Sequence, residues 1–270
     1  PDRRHELRVE GPDAGLPPGG IRRSFDTPPH PPGEELSRFA TVSDLHLGEY
    51  RFGYFGTMQD LPGHEEVYPV RALRSALTAL STWGAELLAV KGDVTAGACL
   101  PQWELFRDLT GELDVPVAVV PGNHDNRPAE LRTRTSRQQL LWTLRGGPIR
   151  RWLGPGHAAA PLDTREALDR IGHPFEGHHR TVDLPGVRVV LADTTIEDRH
   201  LGSFDHLVEP VTNAAAEARL DGRSVWIGGH HPPMRHEVPT FWPPGVPRAE
   251  SIRFLRGVAA AIPRAFYTAG

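Results

Sequence analysis

Leu87-Leu88-Ala89-Val90-Lys91-Gly92-Asp93 is the stretch on which the fold turns. An unbroken apolar run closed by a Gly-Asp turn reads as a strand buried on both faces, the pattern a parallel sheet requires. On its C-terminal side, Gln102 to Leu113 reads as a helix. Val115 to Val120, interrupted only by Pro116, follows as a second buried strand ending in Pro121-Gly122-Asn123-His124-Asp125. On its N-terminal side, Val70 to Trp83 carries Val70, Leu73, Ala76, Leu77 and Leu80 at helical spacing. Before that helix, Arg38-Phe39-Ala40-Thr41-Val42-Ser43-Asp44 reads as a short strand entering a polar turn. Strand, helix, strand, helix, strand at these intervals predicts right-handed parallel crossovers and an α/β fold. Ligand sites in such sheets lie beyond the carboxyl ends of the strands. Asp44, Asp93 and Asn123 all fall there.

Further along, Val187 to Ala192 reads as a strand ending at Asp193, and Val225 to Gly228 as one ending at Gly229-His230-His231-Pro232. Helices are expected over Leu140–Leu144, Thr164–Ile171, Val211–Leu220 and Ile252–Ala261, with a last strand over Arg264–Thr268. His178-His179 reads as core or surface. Residues 1–38 hold eight prolines and read as an irregular N-terminal arm, with Leu7 to Val9 as a short edge strand. Residues 39–270 then form one domain. Within it, residues 126–186 carry ten arginines against six acids and read as a basic insertion or substrate rim, with Arg127, Arg132, Arg134 and Arg137 as candidate phosphate contacts. Phe52, Tyr54 and Phe55 are placed either to stack on a ring of the substrate or to pack over the sheet edge.

Composition removes several classes. The chain has 270 residues, 39% of them hydrophobic, and its 27 Pro and 28 Gly make up only about a fifth of it, too little for collagen or wholesale disorder. No apolar run approaches the ~20 residues of a membrane span. The lone cysteine, Cys99, excludes an internal disulfide framework and agrees with a cytoplasmic setting. Export stays open because the chain starts at Pro1. A net charge of −4 disfavours bulk capture of nucleic acid. Lys91 is the one lysine among 30 basic residues, so each arginine is not read as a phosphate clamp.

Taken singly, the polar turns are ordinary. Asp44-Leu45-His46 sets two potential ligands two apart on one side of an extended segment. Gly92-Asp93 reads equally as a helix cap. Asn123 offers a carbonyl oxygen to a hard cation, and Asp125 is placed to hold the His124 tautomer. His230 adds an imidazole at a fourth strand end. Together, in this order, the four turns resemble the calcineurin-like metallophosphoesterase superfamily, whose signature runs D-x-H, G-D, G-N-H-D/E, G-H and G-H-x-H. The resemblance covers Phe39 to Gly270, and the first four blocks are present.

That resemblance implies a four-layer α/β/β/α sandwich of two mixed sheets, with two divalent ions (Mn, Fe or Zn) at the strand ends. It implies Asp44, His46 and Asp93 on the first metal, with Asp93 bridging to a second that Asn123 and His230 also bind. His231 is left as a neighbour. His124 and Asp125 are the implied catalytic residues, the histidine beside the scissile phosphate and the carboxylate orienting it. Two ions ~3.5 to 4 Å apart clamp both oxygens of an in-line displacement and yield a hydroxide near neutral pH. The implied activity is hydrolysis of a small phosphate ester, a nucleotide among the candidates, and a diester in preference to a phosphoprotein. The G-H-x-H block is missing: Tyr267-Thr268-Ala269-Gly270 resembles the strand and glycine before it. The expectation is a truncated chain; His64, His200 and His236 have no spacing that recommends them as substitutes. Two alternatives stand beside the diesterase: a nuclease of the same superfamily, and a non-catalytic scaffold with an incomplete metal site.

Overall fold

Three of the expected strands pair in parallel as the apolar runs require. The structure, a computed structural model, describes residues 4–9, 21–26, 33–49, 51–52, 58–59, 66–126, 162–196, 201–233 and 245–270. Its contacts divide the chain into two units, Pro1–Leu36 and Ser37–Gly270. In the first, strands β1 (Arg4–Val9) and β2 (Ile21–Asp26) form an antiparallel hairpin from Arg4↔Asp26 to Val9↔Ile21. The expected Leu7–Val9 strand lies within β1. Its partner carries Arg22-Arg23-Ser24 and offers no apolar alternation to read; it is held by pairing, by the His5–Phe25 stack and by the Arg22–Glu6 ion pair at 3.4 Å.

In the second unit, β3 (Ala40–Val42) is followed by a short antiparallel pair, β4 (Arg51–Phe52) and β5 (Met58–Gln59). Tyr54 and Phe55 lie outside the described residues. Helix α1 (Tyr68–Trp83) takes Pro69 in its first turn, where the missing N–H has no partner to lose, and buries Val70, Leu73, Leu77 and Leu80. Next come β6 (Leu88–Lys91), α2 (Leu100–Thr110) and β7 (Val117–Val120). Helix α2 starts two residues before the expected Gln102 because Pro101 fits its first turn. Strands β3, β6 and β7 make a parallel sheet in that order.

Helix α3 (Thr164–Arg170) is capped by Asp163, whose Oδ1 accepts the Arg165 and Glu166 N–H groups. Strands β8 (His179–Leu184) and β9 (Val187–Ala192) follow, then a 3-10 turn at Asp205–Leu207 leading into α4 (Val208–Leu220). The chain continues through β10 (Ser224–Gly229), α5 (Arg248–Ala261) and β11 (Ala265–Thr268). The second sheet runs β11-β10-β9-β8, with β8 alone antiparallel to its neighbour. Strand β9 shows which way the sheet faces. Val189 and Leu191 pack in one cluster with Val90, Val120 and α1, while Val190 and Ala192 pack in another with Val211, Phe254 and Val258 of α4 and α5. One face of the second sheet therefore meets the first sheet, and the other is covered by helices. Leu140–Leu144, the four candidate arginines from Arg127 to Arg137, and His64, His200 and His236 lie outside the described residues. Among the described residues no helix is long and apolar enough to cross a membrane.

Candidate metal centre

Asp44, Asp93, Asn123 and His230 follow β3, β6, β7 and β10, at the carboxyl end of each strand. Pairing continues past the strands themselves. The Asp44 N–H donates to the Gly92 carbonyl at 3.1 Å, and the His46 N–H to the Asp93 carbonyl at 2.9 Å, so the two loops run zipped together. The zipper bends both loops into the left-handed region at Asp44 (φ 53°), His46 (φ 46°) and Asp93 (φ 49°). Non-glycine residues enter that region at a cost of about 1–2 kcal/mol each, and such strain concentrates at functional sites. The glycines of the two motifs have a packing reason. A Cβ on Gly122 would stand 2.2 Å from the Asp93 nitrogen, and one on Gly92 would stand 2.7 Å from the Gly122 Cα.

This closeness sets Asp93, 3% exposed, between two imidazoles. Its Oδ2 lies 3.5 Å from His46 Nε2 and its Oδ1 lies 3.5 Å from His230 Nε2, while Oδ1 also accepts the His124 N–H at 2.7 Å. Donor atoms of His46, Asp93 and His124 lie within 4.8 Å of one another, as do those of Asp44, Asp93 and His230. Both groups share Asp93; His124 falls with His46 in one and Asp44 with His230 in the other, and Asp44 Oδ1 also lies 3.9 Å from His46 Nε2. Asn123 Oδ1 sits 3.0 Å from His230 Nε2.

Asp125 is placed differently from expectation. Its carboxylate is fully buried; Oδ1 accepts the Thr95 N–H (2.9 Å) and hydroxyl (2.7 Å), and Oδ2 accepts the Val94 (3.1 Å) and Gly122 (2.9 Å) N–H groups. Burial pushes its pKa up, and these four donors oppose the shift. The group that His124 Nδ1 faces is the Ala96 carbonyl, at 3.4 Å. A backbone oxygen thus stands where the sequence reading put the carboxylate, which instead staples the Gly-Asp loop to the Gly-Asn-His turn.

Two residues next to the motifs make contacts that the sequence did not signal. Lys91, noticed only as the lone lysine, is buried with its ammonium donating to the Ala269 carbonyl. Burial lowers its pKa and the Asp44 charge opposes this. Asn126, directly after the motif, accepts the Thr164 hydroxyl at 2.5 Å and donates to Thr195 Oγ1, which in turn donates to Asp193. The signal for Asn126 was weak, since a lone asparagine after a turn is ordinary.

The model of the family described as calcineurin-like phosphoesterase matches residues 37–255. The chain belongs to the calcineurin-like phosphoesterase family. Among solved structures, this phosphoesterase-family chain is similar to a purple acid phosphatase from yellow lupin (Lupinus luteus) seeds, at 14% identity and TM-score 0.44, covering 78% of this chain and 33% of that one. It is also similar to a dimetal phosphatase from Danio rerio, at 14% identity and TM-score 0.47, covering 74% of this chain and 71% of that one. The chain thus spans about a third of the lupin enzyme's length. No curated protein matches it by sequence.

The metals this family implies fit the donors present. His230 Nδ1 lies 3.1 Å from the Lys91 carbonyl and donates its proton there. Its Nε2 then faces Asn123 Oδ1 at 3.0 Å and Asp93 Oδ1 at 3.5 Å. A ring nitrogen and two oxygens converging in this way are donors that a divalent cation accepts. Mixed nitrogen and oxygen donors suit Mn, Fe or Zn better than Ca.

Proposed function

We propose that this chain is a two-metal hydrolase of phosphate diesters, in which Asp44, His46, Asp93, Asn123 and His230 hold the ions and His124 serves the leaving group. The observation that carries the reading is Asp93, whose two oxygens each face a different histidine at 3.5 Å from a buried position. When bound, the ions supply Lewis-acid stabilisation of the charge that develops at phosphorus.

This chain's residues do the rest. Asp93 also takes the His124 N–H, so the ligand loop and the histidine loop move as one piece. With Nδ1–H donating to the Ala96 carbonyl, His124 Nε2 is the atom that gives a proton to the departing ester oxygen. Asp125 acts on His124 through the backbone, by fixing the turn that carries it.

The diester is the finer part of this reading, and it rests on the resemblance. Lys91 lies beside Asp44 with its ammonium engaged by the Ala269 carbonyl. The test is the Mn²⁺-loaded chain assayed on bis(p-nitrophenyl) phosphate, p-nitrophenyl phosphate, cyclic AMP and linear DNA. The diester reading expects a higher kcat/KM on the first than on the second. Faster turnover of the monoester contradicts it, DNA as the preferred substrate points to the nuclease, and no turnover of any points to the scaffold.

A further inference from the structure

In the two candidate groups, His230 is the one donor that comes from the second sheet; Asp44, His46, Asp93 and His124 stand on loops after strands of the first. Its ring meets Asp93, Asn123 and the Lys91 carbonyl only if the 229–232 turn holds one register against the opposite sheet. What fixes that register sits at the next residue. His231 is fully buried, with Nδ1 2.8 Å from Thr194 Oγ1. The same hydroxyl oxygen accepts the His231 backbone N–H at 3.1 Å, and the His231 carbonyl accepts the Tyr267 hydroxyl at 2.8 Å. Thr194 follows β9 and Tyr267 lies on β11, so both strands flanking β10 grip residue 231. Gly202 closes the remaining side: a Cβ there would stand 2.5 Å from His231 Cγ.

We propose that Thr194 and His231 are positioning residues that fix the reach of His230 across to the first sheet. The inference rests on the metal reading above for its affinity readout. A buried imidazole is commonly only a satisfied core group. Here one hydroxyl holds both the ring and the N–H of a single residue, directly beside the one donor that, among the described residues of the two candidate groups, must span the sheets. Groups that orient a metal-ligating histidine typically change metal affinity by about 10- to 100-fold when removed.

Thr194→Val keeps the β-branched shape and deletes the hydroxyl; Thr194→Ser returns it. Val225→Ala, on the fully buried face of β10 toward α4 and α5, controls for general loosening of the sheet. Calorimetric titration of Mn²⁺ into the full chain should show about tenfold weaker binding in Thr194→Val, recovery in Thr194→Ser, and near wild-type binding in Val225→Ala. Unchanged affinity in Thr194→Val, or an equal loss in Val225→Ala, overturns the proposal. The second readout is the His230 ring resonance in the metal-free chain, expected to shift in Thr194→Val and return in Thr194→Ser. A wild-type chain that takes up no Mn²⁺ overturns the metal reading alone; the ring resonance then decides this one, and an unmoved resonance overturns it.

Discussion

Replacing Asp125 by asparagine separates two roles for its carboxylate. A partner of the His124 ring would lose activity and keep stability, whereas a brace between loops loses stability first. Asparagine keeps the size and one acceptor oxygen. With that oxygen at the Oδ2 position, the Val94 and Gly122 amides stay satisfied, and the new NH₂ faces the Thr95 N–H, while the Thr95 hydroxyl turns to accept. One buried amide is orphaned, at about 1–3 kcal/mol, and the two retained bonds each lose about 1 kcal/mol of charge assistance. Relief of the buried charge offsets part of the sum, leaving about 2–4 kcal/mol. For a unit of this size that is a fall in Tm of roughly 4–16 °C. Differential scanning calorimetry of the metal-free chain measures it. A Tm within about 2 °C of wild type, with turnover abolished, would refute the brace and restore the carboxylate–histidine pair.

Three further outcomes follow from the same contacts. His124→Ala should retain both ions and lose about 10²- to 10⁴-fold in kcat, checked by elemental analysis beside the diester assay; wild-type turnover would remove His124 from the chemistry. Gly122→Ala, whose Cβ would stand 2.3 Å from Asp93 Oδ1, should force the two loops apart and cost metal binding, read by Mn²⁺ titration against the wild-type chain. Asp183 accepts two hydrogen bonds from Arg188, which hold its carboxyl below the ordinary range. Its stabilising contribution is therefore present above the unfolded value of about 3.9 and lost as pH falls through the lower folded value. Asp183→Asn should lower the urea midpoint at pH 7 and match wild type near pH 2; an equal difference at both would sink the linkage.

The candidate ligands Asp44, Asp93, Asn123 and His230 were legible because each follows a strand whose apolar run marks it, so knowing where β3, β6, β7 and β10 stop places them. Strand β8 was not legible. Its sequence, His179-Arg180-Thr181-Val182-Asp183-Leu184, opens with three polar residues in a row, and among the described residues it pairs with β9 alone. The Pro185-Gly186 turn joining it to β9 was the available signal. The start of α4 was read three residues late, at Val211, because Pro210 looks like a stop; in a first turn proline costs nothing. The hydrogen-bond partners of Asp125 were hidden for a different reason. Adjacency in sequence suggested the neighbouring ring, but the orphan amides of two facing loops, invisible without the fold, compete for the same oxygens.

The function proposed for this chain depends on Asp93 joining two metal sites. Elemental analysis after Mn²⁺ loading reads this out, on the wild-type chain and on Asp93→Asn. About two ions per wild-type chain are expected and fewer than one in the variant, since both candidate groups share this carboxylate. An unchanged metal count in Asp93→Asn, or none in the wild type, would contradict it.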